Sequence, residues 1–342
     1  MKTDVLIIGS GPAGSSAARE LTGSGLDVIL LERLSDERFS VYHSVCGEAV
    51  SSRMISLNDI APSHRVKDVD GITIASSGGT ETVFPIKGSI VDRPGMLADI
   101  RGRCDAKLIR GTAVRVSEDD DGFIVDTTAG EIRCRYLIGA DGAHSVVRRD
   151  VFGTKPAGML PMVNTIEPGE QDDLLFIVGS EFGGCYTWRF SSHEGFVSVG
   201  MPKGVVESGK AVSRGARHLP FGGVPEAVRG NAFLVGDAAG LANALCYGGI
   251  GVAMLSGRKA AAAVKAGDPG KYRRWYNRCI YRDPHFMEAH RLFSEWDDSD
   301  IRDAMAPLEG RVSVFKGFVA MVRRPRYKRI YLAVWLGFRY GW

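Results

Sequence analysis

An α/β fold is predicted: a parallel-sheet domain carries an inserted antiparallel sheet and is followed by a helical C-terminus. Three observations lead there. Val5-Leu6-Ile7-Ile8 is a short, wholly apolar run that stops at glycines, as a buried parallel strand does. A helix-like stretch and a second apolar run, Leu26 to Leu31, follow it in βαβ order. Farther on, short alternating runs divided by turn residues suit antiparallel strands.

At 342 residues the chain is long for one hydrophobic core, so two closely packed domains are expected. Its 44% hydrophobic and 24% charged residues suit an ordered globular protein. A net charge of +3 is too mild to suggest nucleic acid as a partner. The six cysteines are scattered without a CxxC pair, which argues against a zinc site and suits a reducing cytoplasm. No run approaches the ~20 apolar residues of a membrane-spanning helix. Val5–Ile8 is also too short for a signal sequence. A cytoplasmic protein is expected.

Taken in order, the first helix is expected over about Pro12 to Ser24, ended by Gly25. Ser40 to Ser56 reads as a glycine-containing loop leading into a helix. Ile72 to Ala75 and Glu81 to Ile86 form antiparallel strands around Ser77-Gly78-Gly79. A helix follows Arg93 as far as Cys104. Ala113 to Ser117, Gly122 to Thr128 and Glu131 to Arg135 make a meander, and Tyr136 to Gly139 returns as a separate buried strand. Phe176 to Val178, Cys185 to Phe190 and Gly195 to Val199 belong to another sheet. Ala232 to Val235 is a buried strand running into Gly236-Asp237 and an alanine-rich helix, and from Tyr272 the chain is mostly helical. The parallel-sheet domain is therefore expected to be discontinuous, comprising residues 1–70, 88–150 and 221–265. The inserted sheet takes 71–87 and 151–220, and the helical region 266–342.

Gly9-Ser10-Gly11-Pro12-Ala13-Gly14 is a GxGxxG between a strand and a helix. Gly9 permits the tight turn, Gly11 lets a pyrophosphate approach the backbone, and Gly14 allows close helix–strand packing. Pro12 and Ala13 open the helix, whose N-terminus presents free N–H groups to phosphate. Glu32 ends the second strand, where a carboxylate can bind ribose hydroxyls and disfavours a 2′-phosphate. This is a Rossmann-like dinucleotide fold. The distal Phe233-Leu234-Val235-Gly236-Asp237-Ala238-Ala239-Gly240 selects FAD, because an aspartate there can bind a ribityl chain. Gly248-Gly249-Ile250-Gly251 then permits backbone approach to a flat ring.

With Gly139-Ala140-Asp141-Gly142-Ala143-His144-Ser145 between them, these motifs resemble glutathione-reductase-type flavoproteins related to para-hydroxybenzoate hydroxylase. Within that superfamily the chain is most similar to the geranylgeranyl reductases. Val45-Cys46-Gly47-Glu48-Ala49 resembles the family's cysteine–glycine segment beside the flavin. Val91-Asp92-Arg93 resembles the family's flavin-contacting arginine, and Tyr186-Thr187-Trp188-Arg189-Phe190 its Y-x-W-x-F-P motif. The resemblance implies cofactor contacts from Arg33, Cys46, Gly47, Ala49, Arg93 and Val114 besides the glycines, Glu32 and Asp237. It implies catalytic positions at Cys46, Tyr186 and Trp188. It implies reduction of isoprenoid double bonds; a flavin monooxygenase or an electron-transfer flavoprotein would use the same scaffold.

The chain departs from the family pattern at Ser191 for proline, at Ala244 for proline, and at Tyr247 for a frequent glycine. Gly200 to Pro220 is also short, where the family usually has a helical segment. No metal-ligand set and no Ser/His/Asp triad is present. No second GxGxxG follows, so reducing equivalents are expected from a transient donor such as NAD(P)H, reduced ferredoxin or another carrier. Cys46 and Cys246 both fall near expected flavin contacts and are a candidate redox pair. Finally, Arg323, Arg324, Arg326, Lys328 and Arg329 precede Tyr331, Trp335, Phe338, Tyr340 and Trp342, with no acid after Glu309. Such a tail suits an interfacial helix on an anionic membrane, or a helix packed on the catalytic domain.

Overall fold

The computed structural model describes residues 1–205, 207 and 209–341. Its first sheet runs in the order Val228–Arg229, Ala232–Leu234, Gly130–Gly139, Lys2–Ile8, Val28–Glu32, Lys107–Arg110. All neighbours are parallel except the first pair. Val5, Leu6, Ile7, Leu30, Leu31, Leu137 and Ile138 are buried, as strands covered on both faces require. The registers bring Ile8 beside both Leu31 and Gly139, and Gly139 beside Leu234. Three loops therefore leave the sheet at one carboxyl edge, the crevice where α/β sheets bind ligands.

Ten α-helices are labelled in chain order: α1 (Pro12–Leu21), α2 (Asp36–Ser44), α3 (Ser52–Asn58), α4 (Arg93–Gly102), α5 (Ile250–Lys265), α6 (Pro269–Asn277), α7 (Pro284–Ser294), α8 (Asp298–Met305), α9 (Val314–Arg323) and α10 (Lys328–Leu336). Helix α1 is shorter than expected and stops before Thr22, well short of Gly25. Helix α2 takes the first residues of the expected Ser40–Ser56 loop, which then leads into α3 as expected: Ser35 caps α2, Asp36 and Glu37 suit its N-terminus, and only Phe39 and His43 are buried. The expected separate strand at Tyr136 is the second half of Gly130–Gly139. That strand pairs antiparallel with Gly122–Thr127 early and parallel with Lys2–Ile8 along its length.

The second sheet runs Ser213–Phe221, Gly158–Pro168, Phe196–Pro202, Thr187–Ser191, Leu174–Val178, Ile72–Ser76, Glu81–Phe84, Gly310–Arg311. It is antiparallel except at two joints, Leu174–Val178 with Ile72–Ser76 and Gly310–Arg311 with Glu81–Phe84. Its two longest strands were not expected from sequence, and they pair with each other from Gly158↔Phe221 to Ile166↔Ser213. No helix occurs between Gly200 and Pro220 among the described residues; Val206 and Ser208 in that stretch lie outside them. A third, three-stranded sheet of Ala49–Ser51, Gly88–Val91 and Arg65–Val69 stands between the two.

Helix α5 packs directly on α1. A Cβ at Gly257 would lie 2.0 Å from the Ala13 carbonyl oxygen, so only glycine allows this separation. Gly257→Ala should push the helices apart and cost about 1–3 kcal/mol, the usual range for overpacking. Chemical denaturation with and without added FAD checks this, and the loss should appear in both.

Candidate functional site

A cavity of about 550 Å³ occupies the crevice at the carboxyl edge of the parallel sheet. Gly9, Gly11, Pro12, Ala13, Glu32, Arg33, Cys46, Arg93, Asp237, Gly249 and Ile250 line it. Gly14, Gly47, Ala49, Val114 and Gly248 do not. Gly14 lies behind the turn, where a Cβ would meet the Gly9 carbonyl oxygen at 1.8 Å. Val114 is 55% exposed on its strand; Thr112 and Ala113 face the cavity instead.

The N-terminus of α1 has Gly11 as N-cap, Pro12 in its first turn and no side-chain cap. Its free N–H groups are available to an anion. The N-terminus of α5, at Gly249, is also uncapped by a side chain and borders the same cavity. Glu32 is held by its own turn: one carboxylate oxygen accepts from Ser10 N at 3.0 Å and Ser10 Oγ at 2.8 Å, and the other from Leu34 N at 2.8 Å. Its remaining lone pairs can accept from hydroxyls.

Cations gather on the opposite wall. Arg93 donates from Nε and Nη2 to the His43 carbonyl at 2.8 and 2.6 Å. The Arg217 guanidinium lies over the Tyr42 ring at 3.6 Å, and that of Arg33 is 5.4 Å from the same ring. Burial, then Arg93, Arg217, Arg101 and Arg33, push the His43 imidazole down to about 2, which reports a strongly positive surrounding. A pyrophosphate dianion fits such a place.

Asp237 also lines the cavity, and burial raises its carboxyl to about 6 despite Arg93 and Arg148 nearby. Hydroxyl donors of a bound ligand would satisfy it. Arg148 ties the Gly139–Ser145 loop to the Gly236–Gly240 loop, donating to the Ala143 carbonyl at 2.5 Å and the Ala238 carbonyl at 2.9 Å. The sequence reading passed over Arg148, Tyr42 and Arg217. An arginine nine residues after the Gly139 turn was the available signal for the first; nothing local marks the others. His144 meets His218, far away in sequence, at 3.1 Å, and both line this cavity.

A second cavity, of about 980 Å³, lies on the far side of the Ala242–Gly249 segment. Ile72, Phe84, Phe176, Tyr186, Trp296 and Phe338 are among its apolar walls. Ala242, Tyr247 and Gly249 face the smaller cavity, whereas Asn243, Leu245 and Cys246 face the larger. One segment is thus the partition. Tyr186 OH donates to the Cys246 carbonyl, and the Asn243 Oδ1 accepts from Leu245 N at 2.7 Å and Cys246 N at 3.1 Å. Tyr247 keeps a left-handed backbone, φ +48°, at the position where glycine is frequent. Its ring packs on Phe221 at 5.3 Å, and its hydroxyl meets His290 Nδ1 at 3.1 Å.

Trp188 lines neither cavity. Its ring packs against Gly200 and Gly47, and its Nε1 donates to Ser198 Oγ at 3.4 Å. Ser198 Oγ in turn donates to the Cys46 carbonyl at 3.0 Å, so Trp188 supports the Cys46 loop. Cys46 and Cys246 are both free thiols that face different cavities, so the candidate pair is not formed here.

A family model described as "FAD binding domain" matches residues 2–55 and 92–167. The chain is 30% identical over 317 residues to digeranylgeranylglycerophospholipid reductase 1 of Methanothermobacter thermautotrophicus, covering 78% of this chain and 79% of that protein. The chain belongs to the geranylgeranyl reductase family. It is an FAD-dependent oxidoreductase. A geranylgeranyl diphosphate reductase of Rhodobacter capsulatus is 33% identical over 175 residues, covering 48% of this chain and 42% of that one. Among solved structures, a geranylgeranyl bacteriochlorophyll reductase-like protein of Thermoplasma acidophilum superposes with a TM-score of 0.79 at 18% identity, covering 96% and 99% of the two chains. A flavin-dependent brominase shares the fold with a TM-score of 0.68 at 20% identity, covering 86% and 89%.

The Glu48 carboxyl, one residue past the Cys46-Gly47 pair, is buried. It has φ +53°, and its Oε1 has no hydrogen-bond partner among the described residues. Burial raises it from 4.5 to about 8, against the pull of Arg93. Its folded-state pKa lies above the unfolded one, so its ionisation opposes folding increasingly as pH rises from about 4.5 to about 8. Glu48→Gln should therefore melt above the parent at pH 9, with a margin that shrinks toward pH 5. A margin independent of pH would contradict this. Within the cofactor cavity, Glu32→Ala should weaken FAD affinity by roughly tenfold, worth about 1.4 kcal/mol. Flavin fluorescence titration of apoprotein reads that loss directly.

Proposed function

We propose that this oxidoreductase reduces carbon–carbon double bonds of an isoprenoid or isoprenoid lipid. The larger cavity carries the reading. At about 980 Å³ it is at the top of the ~300–1,000 Å³ range of small-molecule pockets, and its walls are almost wholly apolar. Few polar groups are present to orient a small phenol or amine. A long hydrocarbon needs none. The reductase names borne by relatives agree with this substrate class.

In this reading residues 1–70, 88–150 and 221–265 form the FAD-binding domain. Residues 71–87 and 151–220 form the substrate sheet, and residues 266–342 close the lipid cavity. FAD held here would, once reduced, supply a hydride for one alkene carbon, with a proton completing the addition at the other. The chain holds the lipid in the larger cavity, excludes water with its apolar walls, and fixes the cofactor between two helix N-termini; for hydride transfer the Ala242–Gly249 partition must part so that alkene and flavin touch. Tyr186 touches the hydrocarbon and braces the partition through the Cys246 carbonyl. Cys46 borders the cofactor, and Trp188 is a positioning residue that acts through Ser198 and Gly47. Electrons come from a transient donor, NAD(P)H or a carrier such as reduced ferredoxin. A membrane lipid as substrate also implies peripheral membrane contact by the C-terminal region. None of the described helices is long and apolar enough to cross a membrane.

Anaerobic, dithionite-reduced protein given a geranylgeranyl lipid should yield product with two hydrogens added per double bond reduced. Val178→Trp, which fills the cavity wall, should slow turnover of the long lipid about tenfold while leaving the flavin spectrum unchanged. A hydroxylated product in air, with no hydrogenation in its absence, would assign a monooxygenase instead.

A further inference from the structure

Helix α9 carries an apolar face that nothing among the described residues covers. Ala320 is buried against α8 and α10 neighbours, whereas Val314, Phe315, Phe318 and Val322 are 82%, 77%, 59% and 64% exposed. Positions 315, 318 and 322 share one helical stripe, with 314 at its edge. Trp335 on the adjoining α10 is 47% exposed. Single exposed apolar side chains are ordinary; five on two touching helices are not.

The stripe is also a rim. Val314, Phe318 and Trp335 are exposed and line the 980 Å³ cavity, which places them at its mouth. Apolar surface is therefore continuous from outside the protein to the partition beside the cofactor.

Cations are numerous around this rim, but most are engaged by carboxylates or carbonyls. Arg324 pairs with Asp303 and Arg326 with Asp300, each at 2.9 Å, and Arg329 pairs with Glu288. Lys316 Nζ donates to the Glu309 carbonyl. Arg323 and Lys328 are exposed and make no ion pair among the described residues. The tail aromatics divide likewise. Tyr331 is buried with its hydroxyl on the Ala304 carbonyl at 2.7 Å, and Phe338 stacks near Phe84 at 4.6 Å. Tyr340 lies near Arg53, and Trp342 lies outside the described residues. Packing thus accounts for much of the basic, aromatic tail, and the uncovered apolar stripe lies upstream of it.

We propose that the α9 stripe inserts into the interfacial layer of an anionic lipid bilayer, with Arg323 and Lys328 at headgroup level, so that the cavity mouth opens into the hydrocarbon. An isoprenoid chain then passes from bilayer to cavity without crossing water. This entry route rests on the proposed lipid substrate; the insertion itself does not. With only a few free cations, apolar burial dominates binding and charge adds to it.

The test uses the FAD-loaded full chain and phosphatidylcholine vesicles containing phosphatidylglycerol, in a flotation assay. Phe315 and Val322 lie on the stripe but outside the cavity lining. The double variant F315S/V322S should lose about tenfold or more in vesicle affinity. Its flavin spectrum, melting temperature and turnover of detergent-dispersed lipid should match the parent. Raising salt to about 0.5 M should weaken parent binding without abolishing it. Three results would overturn the proposal: a variant that floats like the parent, parent binding abolished by salt, or a stripe whose removal only dissociates a dimer. If the vesicle result holds while no lipid is hydrogenated, the substrate reading fails and the insertion stands.

Discussion

A Cβ at Gly14 would lie 1.8 Å from the Gly9 carbonyl oxygen, and one at Gly9 would lie 2.4 Å from that of Ala140. This backbone-on-backbone contact locks the first turn against the central strand's successor loop. Ala140 N donates back to the Ile8 carbonyl at 2.9 Å, and Val235 N to the Gly139 carbonyl at 3.0 Å. Three loops far apart in sequence are thereby stacked at one sheet edge. The uncapped N-terminus of α1, the Asp141 loop and Asp237 all take their positions from that stack. Packing of α5 on α1 then carries the second uncapped helix terminus to the same cavity. The cofactor site is a product of close approach, and glycine is what makes the approach available.

Electrostatics in the cavity follow from that geometry. Helix termini and arginines supply positive potential along one length, and the suppressed His43 records it. Asp237 and Glu48 hold raised pKa values because burial outweighs the arginines beside them. With Glu48 raised to about 8, that carboxyl does little to offset the arginines near neutral pH. The positive potential is left for an anionic ligand. His43 and Asp237 both show Arg93 among their perturbing charges, so one side chain links the two ends of the site.

Much of this was legible in sequence because the signals are local. A strand of Val, Leu and Ile ending in GxGxxG needs no distant information to be read, and Glu32 and Asp237 follow at meaningful positions. Helix α2 was illegible because only two of its residues face the core. The strands Gly158–Pro168 and Ser213–Phe221 were missed since Gly158, Pro161, Pro168 and Pro220 read as breakers; their pairing with each other supplies the stability that local propensity lacks. Trp188 and Tyr186 share a strand face, yet only Tyr186 reaches a cavity. The closeness of Gly47 and Gly200, neither near in sequence, holds Trp188 elsewhere. The cysteine pair failed for a related reason: Cys46 and Cys246 are near the same segment but on opposite sides of it.

That segment, Ala242–Gly249, holds two of the departures from the resemblance, Ala244 and Tyr247. Tyr247 occupies a left-handed backbone at a cost of roughly 1–2 kcal/mol for a non-glycine residue. The cost is offset by a ring packed among Phe221, Tyr186 and His290 and by the hydroxyl contact to His290. A glycine here would leave a gap between the two cavities, whereas a tyrosine fills it and ties the partition to α7. Ala244 in place of proline leaves φ free at that position, while Asn243 holds the segment with two hydrogen bonds to the following N–H groups. The result is a partition braced from both sides by side chains, which separates a charged cofactor site from an apolar one by the thickness of a single strand of chain.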